Sequence, residues 1–169
     1  SAFAQKHNQL NFLLIQGDHH IMVDFGMTGP RALAETANLM PADIEVLLPT
    51  HSHADHVGGI ESLALTNRYI GMPFQGKDKI KMMVDENYQR VLWDYTLRGG
   101  LEWNEKDDVS GKKLAFSDFF DVIRPKWKTC QPRETYEVQH GPIHLEIFRT
   151  NHIPSSADGW EASFISYGL

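Results

Sequence analysis

The sequence predicts a mixed protein, α/β or α+β, built around sheet. Three observations carry that expectation. Short apolar runs rich in β-branched residues alternate with stretches of helical period. Turn residues punctuate the intervals between them. The chain has 169 residues, 41% hydrophobic and 22% charged, which is enough for a single domain with a real core.

Taken in order, Asn11 to Gln16 and Ile21 to Asp24 read as two strands joined by the turn Gly17-Asp18-His19-His20. A loop over Gly26 to Gly29 leads to Pro30, whose fixed φ suits a first helical residue. The helix expected from Arg31 to Leu39 places Leu33, Ala34 and Ala37 inward and is closed by Pro41. Ile44 to Leu48 is short, apolar and β-branched, the pattern of a buried central strand. A helical stretch covers Ile60 to Leu65, and Lys79 to Val84 alternates as a strand. Asp85 is positioned to cap a helix running to Leu97, with Val91, Leu92 and Tyr95 as its apolar face and Gly99 as its stop. Glu102 to Lys113 is the most polar stretch and reads as a surface loop. Ser117 to Phe120 resembles a helical turn, Ile143 to Ile147 a half-buried strand, and Ala162 to Tyr167 a last strand.

Composition excludes several classes. The net charge is -6 with no basic run, which argues against a broad nucleic-acid-binding face. No apolar run approaches the ~20 residues of a membrane span. A single cysteine, Cys130, cannot form an intrachain disulfide and favours a reducing, cytoplasmic setting. Met82, Met83 and the tryptophans read as packing residues.

The nine histidines are the unusual feature. His51-Ser52-His53-Ala54-Asp55-His56 follows the predicted central strand. In extended chain, residues two apart face the same way, so His51 and His53 can grip one ion from one side. A turn into helix at Asp55 swings Asp55 and His56 toward a second position, and Gly58-Gly59 allows a close approach to whatever is bound. Imidazole and carboxylate suit Zn²⁺, with Mn, Fe or Ni as alternatives.

His51-Ser-His53-Ala-Asp55-His56-Val-Gly58-Gly59 resembles the H-x-H-x-D-H signature of the metallo-β-lactamase superfamily, and Ile21-Met-Val-Asp24-Phe-Gly26 is similar to that family's strand ending in Asp and Gly. The resemblance implies an α+β fold of αββα layering, a two-sheet sandwich flanked by helices, over 1–169. It also implies one or two metal ions: His51, His53 and a later histidine on the first, Asp55 and His56 helping with the second. Asp55 would also orient the attacking water. Residues 92–101 and 118–122 are similar to the tRNase Z-like phosphodiesterases, and most of all to the phage anti-Pycsar group, which cleaves cyclic mononucleotides. The function this implies is a metal-dependent hydrolase, a phosphodiesterase first, acting on a nucleotide or other small molecule. The alternatives are a β-lactamase-like or thioesterase-like hydrolase and a metal-binding piece without activity.

Among His140, His144 and His152, the last follows a strand end and is the expected third ligand. His140 reads as a turn residue, His144 as the polar face of a strand, and His19 and His20 as an exposed hairpin tip. Asp24 is expected to orient a ligand imidazole, and Ser155 and Ser156 to donate hydrogen bonds to substrate. The superfamily's bridging Asp and last His do not occur after Ser166-Tyr167-Gly168. The chain therefore reads as lacking the family's C-terminal segment, with a second metal position short of ligands. Water or a homodimer partner could complete it.

Overall fold

The computed structural model describes residues 6–153 and 159–169. Among the described residues, nine strands form two sheets. The first has the order β1-β2-β3-β4-β5, with β1 Phe12–Gln16, β2 His19–Val23, β3 Val46–Leu48, β4 Ile80–Met83 and β5 Phe120–Ile123. β1 and β2 form an antiparallel hairpin, and β2 to β5 run parallel. The second sheet is antiparallel and ordered β6-β7-β8-β9, with β6 Lys126–Thr129, β7 Thr135–His140, β8 Ile143–Arg149 and β9 Tyr167–Gly168.

β3 is the middle strand of the first sheet, and all of its residues are buried. That is why its sequence is uniformly apolar: a parallel strand covered on both faces has no polar side to alternate. The core runs through both sheets, joining Ile21, Val23, Leu47, Leu48 and Met82 of the first to Val138, Ile143, Ile147 and Tyr167 of the second. At roughly 25 cal/mol per Å² of apolar area, this continuous burial is the dominant stabilising contribution.

The helices are α1 Gly29–Ala37, α2 Ala54–Val57, α3 Ile60–Thr66, α4 Met72–Gln75, α5 Glu86–Leu92, α6 Arg98–Leu101 and α7 Phe116–Phe119. Asp85 caps α5 as expected, accepting from the backbone N–H groups of Asn87 and Tyr88 at 2.9 and 3.1 Å.

Several expectations need correction. α1 buries Leu33, while Ala34 and Ala37 face solvent. The helix from Asp85 does not stop at Gly99. It passes through a wide π-turn over Trp93–Leu97 into α6. The wider turn advances the inward position by a residue or more, so Leu97 is buried and Tyr95 is 82% exposed. The last strand is only Tyr167–Gly168. Upstream of it, the Ser163 hydroxyl accepts from the His152 N–H at 2.7 Å instead of facing a ladder partner's side chain.

His19 and His20 belong to β2 rather than to a hairpin tip, and His140 ends β7 rather than lying in the turn. β5, β6 and β7 were not anticipated, because 120–140 is largely polar. β6 has three exposed residues of four and is held by pairing with β7.

Candidate metal centre

The centre is built at the carboxyl end of β3. Beyond Leu48 the chain runs outside helix and strand to His53, the N-cap of α2, which has β-region dihedrals. His51 is 6% exposed, and its Nδ1 lies 3.0 Å from the Thr50 hydroxyl. That contact turns the Nε2 of His51 outward, where it faces His53 Nδ1 at 3.1 Å. His152, beyond the end of β8, brings its Nε2 to 3.3 Å from the same His53 nitrogen.

An imidazole nitrogen has one in-plane lone pair or one hydrogen, so His53 Nδ1 cannot be matched by both neighbours through hydrogen bonds. A shared cation would satisfy the convergence. Ligands at ~2.0–2.1 Å around a tetrahedral ion stand roughly 3.3 Å apart, close to both observed spacings. His51, His53 and His152 form the group able to hold a metal ion among the described residues, with their donor atoms all within 4.8 Å of one another.

Asp55 and His56 stand beside this group without joining it. The His56 ring centroid is 3.9 Å from that of His51, and its Nε2 lies 3.7 Å from an Asp55 carboxylate oxygen. His56 Nδ1 is 2.6 Å from Asp24 Oδ2. Asp24, 3% exposed, also accepts from the Thr50 N–H at 2.7 Å and the Thr50 hydroxyl at 2.9 Å. One carboxylate therefore orients His56 directly and His51 through Thr50. Asp24 occupies the left-handed region at φ 59°, which Asp tolerates better than most residues.

The close approach made possible by glycine is to protein, not to the open side of the site. Gly59 donates to the Phe25 carbonyl at 2.8 Å, and Phe25 N–H donates to the His56 carbonyl at 2.6 Å. A Cβ at Gly26 would collide with the Asp55 carbonyl, and one at Gly59 with the Gly26 carbonyl.

Electrostatics follow from burial and crowding. Burial, and then the neighbouring His56, His152 and His53, push the His51 pKa down to about 3, against the opposing pull of Asp55. Burial and the flanking His53 and His56 lower that of His152 as well. The hydrogen bond to Asp24 raises that of His56.

His140 and His144 lie away from the centre: His140 stands against His19, and His144 is exposed on β8. Ser155 and Ser156 lie outside the described residues. Three residues near the site were not anticipated. Phe164 stacks on His53, with ring centroids 5.3 Å apart and planes 16° from parallel. Thr50 joins Asp24 to His51, and Ser163 pins the backbone of His152. None has a sequence signal, because each acts through a partner distant in the chain or through ordinary chemistry at an ordinary position.

The fold and the histidine-carboxylate loop define a metallo-β-lactamase-fold protein. Human tRNase Z, short form, superposes with a TM-score of 0.55 at 16% identity, covering 88% of this chain and 56% of that one. The metallo-β-lactamase MIM-1 of Novosphingobium pentaromativorans gives 0.51 at 18% identity, covering 94% and 48%. Within that fold the chain belongs to the anti-Pycsar protein Apyc1 family, whose profile matches residues 1–169. It is 37% identical to the anti-Pycsar protein Apyc1 of Paenibacillus xerothermodurans over 158 residues, 93% of this chain and 56% of that protein. It is 31% identical to that of Bacillus phage BSP38 over 163 residues, 95% and 60%. The chain thus spans a little over half the length of these relatives.

Proposed function

We propose that the chain carries the metal centre of a metal-dependent phosphodiesterase acting on cyclic mononucleotides or related phosphodiesters. The observation that carries this reading is the convergence of His51, His53 and His152 in a chain of the anti-Pycsar family. These three residues would hold the first ion, and Asp55 with His56 would face a second. A divalent ion bound there, Zn²⁺ being the first candidate for an all-imidazole set, supplies Lewis acidity at a phosphoryl oxygen and a water acidic enough to react at neutral pH.

The chain's own residues do the positioning. Asp55 lies at the first turn of α2 beside His56, where its carboxylate can accept a hydrogen bond from the attacking water and aim it at phosphorus. Asp24 and Thr50 fix the ring planes of His56 and His51. Phe164 stacks against one face of His53 and limits how that ring can turn. No helix among the described residues is long and apolar enough to cross a membrane. A cytoplasmic location, in keeping with the free, exposed Cys130, belongs to the same reading.

The test is a side-by-side assay of a 3′,5′-cyclic mononucleotide, bis-p-nitrophenyl phosphate and a chromogenic cephalosporin. The protein is expressed from its complete natural reading frame. The expected result is chelator-sensitive hydrolysis of the phosphodiesters, lost by about a hundredfold in Asp55→Asn. Cephalosporin turnover without phosphodiester cleavage would reverse the assignment, as would metal-loaded protein that cleaves none of the three.

A further inference from the structure

We infer that Tyr167 and Asp85 form a positioning pair that registers the segment bearing His152 against the loop bearing His51 and His53. The inference rests on the metal-site reading above and adds residues that touch none of the three histidines.

Two ligands follow β3 of the first sheet and the third follows β8 of the second, so the centre exists only while the sheets keep their relative position. Tyr167 lies on that seam. Its N–H donates to the Thr50 carbonyl at 3.1 Å, one residue before His51. Its neighbour Ser166 accepts from the Thr150 N–H at 2.9 Å and meets the Thr150 hydroxyl at 2.9 Å, two residues before His152. Tyr167 is thus attached to both ligand-bearing segments through backbone that could still rock.

Its side chain removes that freedom. The phenol, on a residue only 7% exposed, donates to Asp85 Oδ2 at 2.6 Å. A part-buried hydrogen bond to a carboxylate is among the stronger neutral-donor contacts. The other Asp85 oxygen already serves the N-terminus of α5. Burial and the adjacent Asp85 carboxylate push the phenol's pKa up, so the hydroxyl remains a donor. The next helical residues complete the arrangement. Tyr88, 1% exposed, has its ring centroid 6.1 Å from that of Tyr167 and accepts from the Ser52 hydroxyl at 3.3 Å, between the two histidines of the loop. Asp85 and Tyr88 therefore fix the ligand loop from beneath, while Tyr167 fixes the opposite sheet to the same helix start. Metal sites tolerate displacements of only ~0.5 Å before ligand geometry degrades.

The experiment uses Co²⁺ as probe in the protein from its complete natural reading frame. It measures Co²⁺ affinity by chelator competition and the visible ligand-field band, without substrate. Tyr167→Phe keeps the ring and removes only the hydroxyl. It is expected to weaken Co²⁺ binding by about tenfold and to shift the band. Asp85→Asn, which remains a competent helix cap, is expected to move both readouts the same way. The double variant should be no worse than Tyr167→Phe. Tyr136→Phe, which removes a hydroxyl from a ring 6.3 Å from Tyr167, should leave the band unchanged. If Tyr167→Phe does not fold, Asp85→Asn decides alone. A native band and affinity in the deciding variant, or additive effects in the double variant, overturns the pairing. Failure of the unmodified protein to bind Co²⁺ overturns the metal site itself and the pairing with it.

Discussion

Asp24 shows how much one side chain can carry. It is buried, sits at positive φ and accepts three hydrogen bonds, two from Thr50 and one from His56. Its position at the end of an apolar strand next to Gly26 was enough to expect an orienting role from sequence. Thr50 was not foreseeable, since a threonine before a histidine carries no special signal. Replacing Asp24 with Ala leaves a buried N–H and a buried hydroxyl without their acceptor. We expect a loss of about 2–4 kcal/mol in chemical denaturation. Asn keeps the shape, tolerates the left-handed backbone and retains one acceptor oxygen, so its cost should be less than half as large. Equal losses for the two variants would show that the carboxylate does not act through these bonds.

At the scale of elements, the two hairpins meet through imidazoles. His19 on β2 and His140 at the end of β7 make an edge-on contact with centroids 5.3 Å apart, and a Cβ at Gly141 would stand 2.6 Å from the His19 ring. His140 Nε2 is buried and has no hydrogen-bond partner among the described residues. Burial, then His19, Lys81 and His20, hold the His140 pKa below the usual histidine value, with Glu45 opposing. A base whose folded pKa is depressed is neutral in the fold but takes up a proton when unfolded. Stability is therefore full above about pH 6.5 and falls as pH drops toward the folded value. Thermal melts at about pH 7.5 and 5.5, taken with saturating Zn²⁺, should show a smaller drop for His140→Gln than for the unmodified chain. An equal drop would place the acid sensitivity elsewhere. Sequence reading treated both histidines as tip or turn residues, because a contact between hairpins over a hundred residues apart leaves no local pattern.

At the scale of the molecule, an ion held by His51, His53 and His152, as proposed above, would cross-link the sheets. Anything that binds the folded state and not the unfolded one raises stability by mass action. At a hundredfold excess over its Kd, Zn²⁺ should add about 2.7 kcal/mol, or roughly 5–10 °C in Tm for a chain of this size. Chelation should reverse the gain. His152→Ala should abolish most of it, since the remaining pair lies within one loop and no longer ties the second sheet to the first. A full Zn²⁺ response in His152→Ala would show that the third histidine is not a ligand.

The sequence by itself determined the hairpin, the buried central strand, the cap at Asp85 and the histidine loop. Each is encoded within a few consecutive residues, by alternation, uniform hydrophobicity, a capping side chain or i, i+2 spacing. It also singled out His152 as the expected partner of His51 and His53, from a strand end rather than from a contact, and the three side chains converge. Tertiary structure alone decided the rest. It made strands of the polar stretch 120–140, whose exposed residues are held by ladder partners rather than by burial. It turned Leu97 inward in place of Tyr95 through a π-turn. It brought Phe164, Thr50 and Ser163 against the three histidines and joined Tyr167 to Asp85. The reason is the same in each case: these residues are chosen by neighbours far away in the chain, and no local periodicity records a neighbour that only folding supplies.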